Sequence, residues 1–74
     1  MKQIAYVIIN DADEMFAGVT TDHIWWSNLI VNTMLFENKY LAEKTNDELE
    51  LRGTVKQMRY TLFHADFKTK EEIY

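Results

Sequence analysis

The sequence predicts an α+β domain: a small antiparallel sheet of three to five strands with one helix packed on one face, in the order ββ(β)βαβ. Three observations carry this expectation. Gln3 to Ile9 (QIAYVII) and Val55 to Phe67 (VKQMRYTLFHADF) are rich in aromatic and β-branched residues and hold no Gly or Pro, which is strand composition. Lys39 to about Leu51 follows a capping Asn38 and carries apolar residues at helical spacing. Clusters of Asn, Asp and Thr separate the remaining segments into short pieces joined by turns.

In chain order, the first strand is Gln3 to Ile9, with Ile4, Tyr6 and Ile8 on one face and Ala5, Val7 and Ile9 on the other. Both faces are apolar, so this strand belongs inside a sheet or under two covering layers. Asn10 to Glu14 is a polar reversal, and Met15 to Val19 is the returning strand, where Gly18 is placed for a bulge or a close backbone approach. Thr20 to His23 connects to a short strand at Ile24-Trp25-Trp26. Adjacent Trp rings in a strand point to opposite faces, so one goes to the core and the other is covered by another element or exposed as a binding anchor.

Ser27 to Asn32 reads as a helical turn. Thr33 to Phe36 (TMLF) reads as a strand. In the helix that follows, Leu41, Ala42, Thr45 and Leu49 form the apolar stripe, and Glu43, Asp47, Glu48 and Glu50 dominate the solvent side, with Gly53 near the C-cap. The last strand, Val55 to Phe67, changes its buried face near Leu62, which predicts a bend, a bulge or cover on both sides, and a central place in the sheet. Lys68 to Tyr74 is a charged tail expected to fray.

Seventy-four residues make one domain, 1–74, with no room for a second. An apolar share of 47% suits a packed core and excludes a disordered chain. Twelve acidic against eight basic residues give a formal charge of -4, which argues against nonspecific affinity for nucleic acid or anionic lipid and toward a basic protein surface as partner. The absence of Cys excludes disulfides and thiolate metal sites. Ile4 to Ile9 is too short to span a bilayer and lacks the flanks of a signal peptide, so a cytoplasmic setting is expected.

No catalytic, cofactor or metal motif stands out. Asp11, Asp13 and Glu14 lack the ligand spacing, central Gly and terminal Glu of a calcium loop and read as a solvated turn. His23 and His64 have Asp22 and Asp66 nearby, yet neither a zinc ligand set nor a nucleophile with an oriented base can be assembled from them, so an enzyme is not expected. Lys56, Arg59, Lys68 and Lys70, interleaved with Tyr60 and Phe63, resemble the basic and aromatic mixture that binds single strands, which makes a nucleic-acid-binding accessory protein the alternative. The ribonucleoprotein consensus is missing and the net charge is negative, so direct nucleic-acid binding is not the favoured reading. The acidic helix is the stronger candidate. Glu43, Asp47, Glu48 and Glu50, with an exposed aromatic among Trp25, Trp26 and Tyr40, suit a basic groove in which carboxylates take the place of phosphates. A third reading is a self-associating module that forms a homodimer through an uncovered sheet edge.

Tyr6-Val7-Ile8 in the opening strand, Phe16-Ala17-Gly18 in the return strand, Trp25 or Trp26, and Leu35-Phe36 before the helix form a pattern over roughly residues 4 to 67. It resembles small accessory proteins encoded by phages of Gram-positive bacteria. Met34 stands where an Ala often precedes that Phe. The resemblance implies a small cytoplasmic protein that binds and inhibits a host defence or nucleic-acid-processing protein, as anti-CRISPR proteins do, by stoichiometric contact and without cofactor. It carries no catalytic residue.

Overall fold

The computed structural model describes residues 3–60 and the backbone of residues 65–67. Its elements are β1 (Gln3–Ile9), β2 (Met15–Thr20), β3 (His23–Ser27), a 3-10 turn (Ile30–Asn32), α1 (Lys39–Glu48), β4 (Thr54–Tyr60) and β5 (Ala65–Phe67). The strands form one antiparallel sheet in the order β3-β2-β1-β4-β5, with one helix, so the fold is α+β as expected.

β1 is the middle strand because it is apolar on both sides. On one side Tyr6 and Ile8 pack with Phe16, Ile24, Trp26, Phe36 and Val55 under Ala42, Leu49 and Leu51 of the helical layer. On the other, Val7 and Ile9 pack with Met15 and Met58 beneath Ile30, Leu35 and Tyr60. Val7 and Ile8 have no exposed surface at all. The sheet is thus covered by α1 on one face and by the chain around Ile30 and Leu35 on the other.

Asn10 builds the first reversal. Its Oδ1 accepts from the backbone N–H groups of Ala12 and Glu14 at 3.0 and 2.9 Å, and its Nδ2 donates to Glu14 Oε1. Asp13 completes the turn at φ 61°, a conformation Asp tolerates better than most residues. In β2 the pairing with β3 shifts by one residue between Phe16 and Gly18, leaving Ala17 as the extra residue of a bulge. Gly18 has φ 149°, a backbone region in which a side chain is strained.

Thr33 to Phe36 is not a strand. β1 pairs with β4 over its whole length but with β2 only at Ile9 and Met15, and beyond that point β1 and β2 splay apart. The chain from Met34 to Phe36 fills the wedge. Phe36 and Tyr6 exchange two backbone hydrogen bonds of 2.9 Å, and Met34 N donates to Phe16 O at 3.0 Å. The strand composition of TMLF is real, but only one bridge forms, because Asn38 starts the helix two residues later. The turn expected over Ser27 to Asn32 is present at Ile30–Asn32, held by Thr33 Oγ1 donating to Leu29 O.

Asn38 caps α1, its Oδ1 accepting from Leu41 N at 2.9 Å. The helix ends at Glu48 rather than Leu51, because Glu50 enters the left-handed region at φ 51° and Leu51 turns back to donate to Asn46 O. The sheet-facing stripe is therefore buried Ala42 with half-buried Thr45, Asn46 and Leu49. Leu41, expected inside, stays 41% exposed. Gly53 is also not the cap. It lies against β1, and Asn46 clamps it from the helix with Nδ2 donating to Gly53 O and Oδ1 accepting from Gly53 N, both at 3.0 Å. Asn46→Ala leaves both backbone groups without that partner, and is expected to cost about 1–2 kcal/mol, read from the urea midpoint. A shift equivalent to under about 0.5 kcal/mol would show that water replaces the clamp without loss.

The long final strand is two strands. β5 runs antiparallel to β4, pairing Met58 with Phe67 and Tyr60 with Ala65, so the chain reverses between Tyr60 and Ala65. A change of phase in a stretch holding no Gly, Pro or Asn does not tell one bent strand from two antiparallel ones. β4 is interior but off centre. Leu62, Phe63, His64 and the tail expected to fray, Lys68 to Tyr74, lie outside the described residues.

Candidate functional site

With Ala42 and Leu49 facing the sheet, the helical rotation of about 100° per residue brings Tyr40, Lys44 and Asp47 to the opposite side, flanked by Glu43 and Glu48. All five are exposed, Tyr40 at 70%. Tyr40, Glu43 and Asp47 stand at i, i+3 and i+7, so one outward face presents an aromatic ring with two carboxylates. Lys44 Nζ lies 3.8 Å from Glu48 Oε1, a solvent-exposed pair that contributes little. Glu43, Asp47 and Glu50 have no ion pair among the described residues.

The charges of α1 run against its own dipole. A helix is stabilised by acids in its first turn and bases in its last. Here the first turn has no acid and begins with Lys39, while the last turn has no base and carries Asp47 and Glu48. Glu50 adds a further carboxylate just past the cap, in a left-handed backbone conformation that suits Gly better. The Asn10 to Glu14 turn follows Ile9, which pairs with Thr54 beside Gly53, so Asp11 and Asp13 sit at the same end of the sheet as this acidic helix terminus. Within α1 neither terminal turn carries a charge that the dipole favours.

The two tryptophans separate as an extended strand requires. Trp26 turns to the helix-side core, its ring edge-on to Phe16 at 5.9 Å, and so leaves the set of candidate contact residues. Trp25 turns to the other face, 52% exposed, with its ring against His23 at 4.4 Å. It is therefore across the sheet from the acidic helix. The structure joins Tyr40 to the carboxylates and leaves Trp25 apart, near the uncharged segment whose Leu29 and Val31 are also exposed. That second surface had a sequence signal: from Ile24 to Phe36, thirteen consecutive residues carry no charge.

The described members of the basic and aromatic set are divided between the two faces of β4. Met58 and Tyr60 face one side of the sheet and Val55 the other, so Lys56 and Arg59 point to opposite faces. Tyr60 packs on the core and its hydroxyl donates to Gln3 Oε1 at 3.0 Å. Lys68, Lys70 and Phe63 lie outside the described residues.

Among the described residues no group of three His, Cys, Asp or Glu could hold a metal, and His23 touches Trp25 rather than a carboxylate-oriented nucleophile. A cavity of about 240 Å³ opens between the start of β1 and Leu35 to Glu37, with Glu37 and Tyr60 as its ionisable side chains. They do not form a nucleophile and base pair. No described helix is long and apolar enough to cross a membrane. No family model, curated protein or solved structure matches the chain.

Proposed function

We propose that the protein acts by stoichiometric contact with a basic protein surface, through the outward face and C-terminal end of α1. Tyr40 is the aromatic anchor, and Glu43, Asp47, Glu48 and Glu50 occupy positions that phosphates take on a nucleic-acid-binding partner. The observation that carries this reading is the reversed charge order of α1. Carboxylates gathered where they oppose the helix dipole, on a helix whose outward face also carries an exposed Tyr in its first turn, lower the stability of a small domain, and such local conflicts concentrate at functional surfaces. The resemblance to phage accessory proteins gives the contact its role, inhibition of a host defence or nucleic-acid-processing protein.

Stability and binding are therefore expected to move in opposite directions. Glu50→Gly relieves both the left-handed strain and the dipole conflict, and is expected to stabilise the fold by about 1 kcal/mol in thermal unfolding. The binding test is a pull-down from nuclease-treated lysate of a Gram-positive host at low and high salt. Wild type should retain one stoichiometric basic protein that salt releases. Tyr40→Ala with Glu43→Lys and Asp47→Lys should reduce capture at least about tenfold. Equal capture by wild type and the triple variant would sink the proposal.

A further inference from the structure

β3 is the outermost strand of the sheet, and among the described residues it has a neighbouring strand on one side only. Natural edge strands are guarded against pairing by charge, Pro or a bulge. β3 has none of these. Its sequence is HIWWS, and the bulge of this hairpin lies in β2.

The hydrogen-bonding phase of that edge follows from the hairpin. Thr20 and His23 flank a two-residue turn and pair with each other, so His23, and by alternation Trp25, turn their backbone N–H and C=O toward β2. Ile24 and Trp26 turn theirs outward. An antiparallel β3 docked about a two-fold axis through Trp25 sets Ile24 opposite the partner's Trp26, with both outward backbone pairs satisfied. Trp25 then meets the partner's Trp25 at a non-hydrogen-bonded position, where Cα atoms approach to about 4.5 Å and side chains pack most closely.

We propose that the occupant of this edge is a second copy of the chain, making a two-fold dimer with one continuous ten-stranded sheet. The edge is self-complementary in that register. Trp25 faces itself, Ile24 faces Trp26 on the helix side where both already join the core, and His23 faces Ser27. Asp22, the nearest carboxylate, falls opposite the neutral Asn28, so the net charge of -4 places no like pair across the seam. A partner of other chemistry has no such match in both directions. The axis stands perpendicular to the sheet, which keeps both α1 helices on one face and makes the dimer bivalent toward any ligand of α1. The dimer does not depend on what α1 binds.

The seam is short, so dimerisation should depend on concentration in roughly the micromolar range. Sedimentation equilibrium between about 1 μM and about 1 mM is expected to show monomer passing to dimer, and Trp25→Lys to weaken the dimer at least about tenfold. The chain has no cysteine, so Trp25→Cys introduces a unique thiol that faces its own copy at a separation within the disulfide range of about 4.4–6.8 Å. Oxidation should link it into dimers at least about tenfold faster than Asn28→Cys, an exposed position just past the end of the same strand, which in this register faces Asp22 and not its own copy. The wild-type mass and the cross-linking contrast stand even if Trp25→Lys fails to fold. A wild type that stays monomeric to about 1 mM, or equal cross-linking at the two positions, would overturn the proposal.

Discussion

Phe16→Ala is expected to cost about 3–5 kcal/mol and to leave the chain largely unfolded at 37 °C. Phe16 is 1% exposed and, among the described residues, is the largest of the fully buried side chains. It joins Ile8 of the central strand to Ala42 of the helix and to Trp26 of β3, so its ring fills the junction of sheet, helix and hairpin. Its backbone oxygen also receives the Met34 N–H that holds the wedge between β1 and β2. Removal of the ring opens a cavity that the splayed strands would have to collapse into. A domain of this size has a total stability on the order of 4–11 kcal/mol, so the loss takes a large share of it. Urea unfolding followed by far-UV circular dichroism reads the effect, and Phe16→Leu should recover most of it. A variant within about 1 kcal/mol of wild type would show that Phe16 does not hold the core together.

Gly53→Ala is expected to destabilise by about 1–3 kcal/mol, near the upper end of that range. A Cβ built there lies 2.5 Å from Ile8 Cγ2 and 3.0 Å from Ile9 O. Neither atom moves freely: Ile8 is fully buried and β-branched, and Ile9 O is main chain of the middle strand. The same residue is held by both ends of the Asn46 amide, so it cannot retreat from β1 without loosening the helix. Gly53→Ala with Ile8→Val tests the cause. Ile8→Val trims the δ-methyl and leaves Cγ2 in place, so on this geometry the second change should not restore the first. Recovery in the double variant would mean that space in the layer, not the close approach of β1, sets the requirement for glycine.

Much of this fold was legible from composition and period. The double apolar face of Gln3 to Ile9 announced a middle strand, Asn38 announced the helix start, and Gly18 a bulge, because each is decided by the residue and its immediate neighbours. The errors fell where a partner distant in sequence decides. TMLF has strand composition but finds only one pairing position, in a wedge formed by strands more than ten residues away. The stretch to Phe67 looked like one strand because a reversal and a bend leave the same phase change when no turn residue marks the spot. Leu41 matched the helical stripe as well as Asn46 did on spacing; only the approach of Gly53 made the amide the inward residue.

The candidate surfaces divide the same way. By itself the sequence determined that the helix is acidic and that one of two neighbouring tryptophans must leave the core. These follow from charge count and the alternation of an extended chain. The tertiary structure decided that Trp25 is the exposed ring and that it lies across the sheet from Tyr40, Glu43 and Asp47, which splits one expected site into two. It also decided that β3 is an edge. Strand order is set by which apolar faces bury the most area together, a property of all the elements at once and of no single segment.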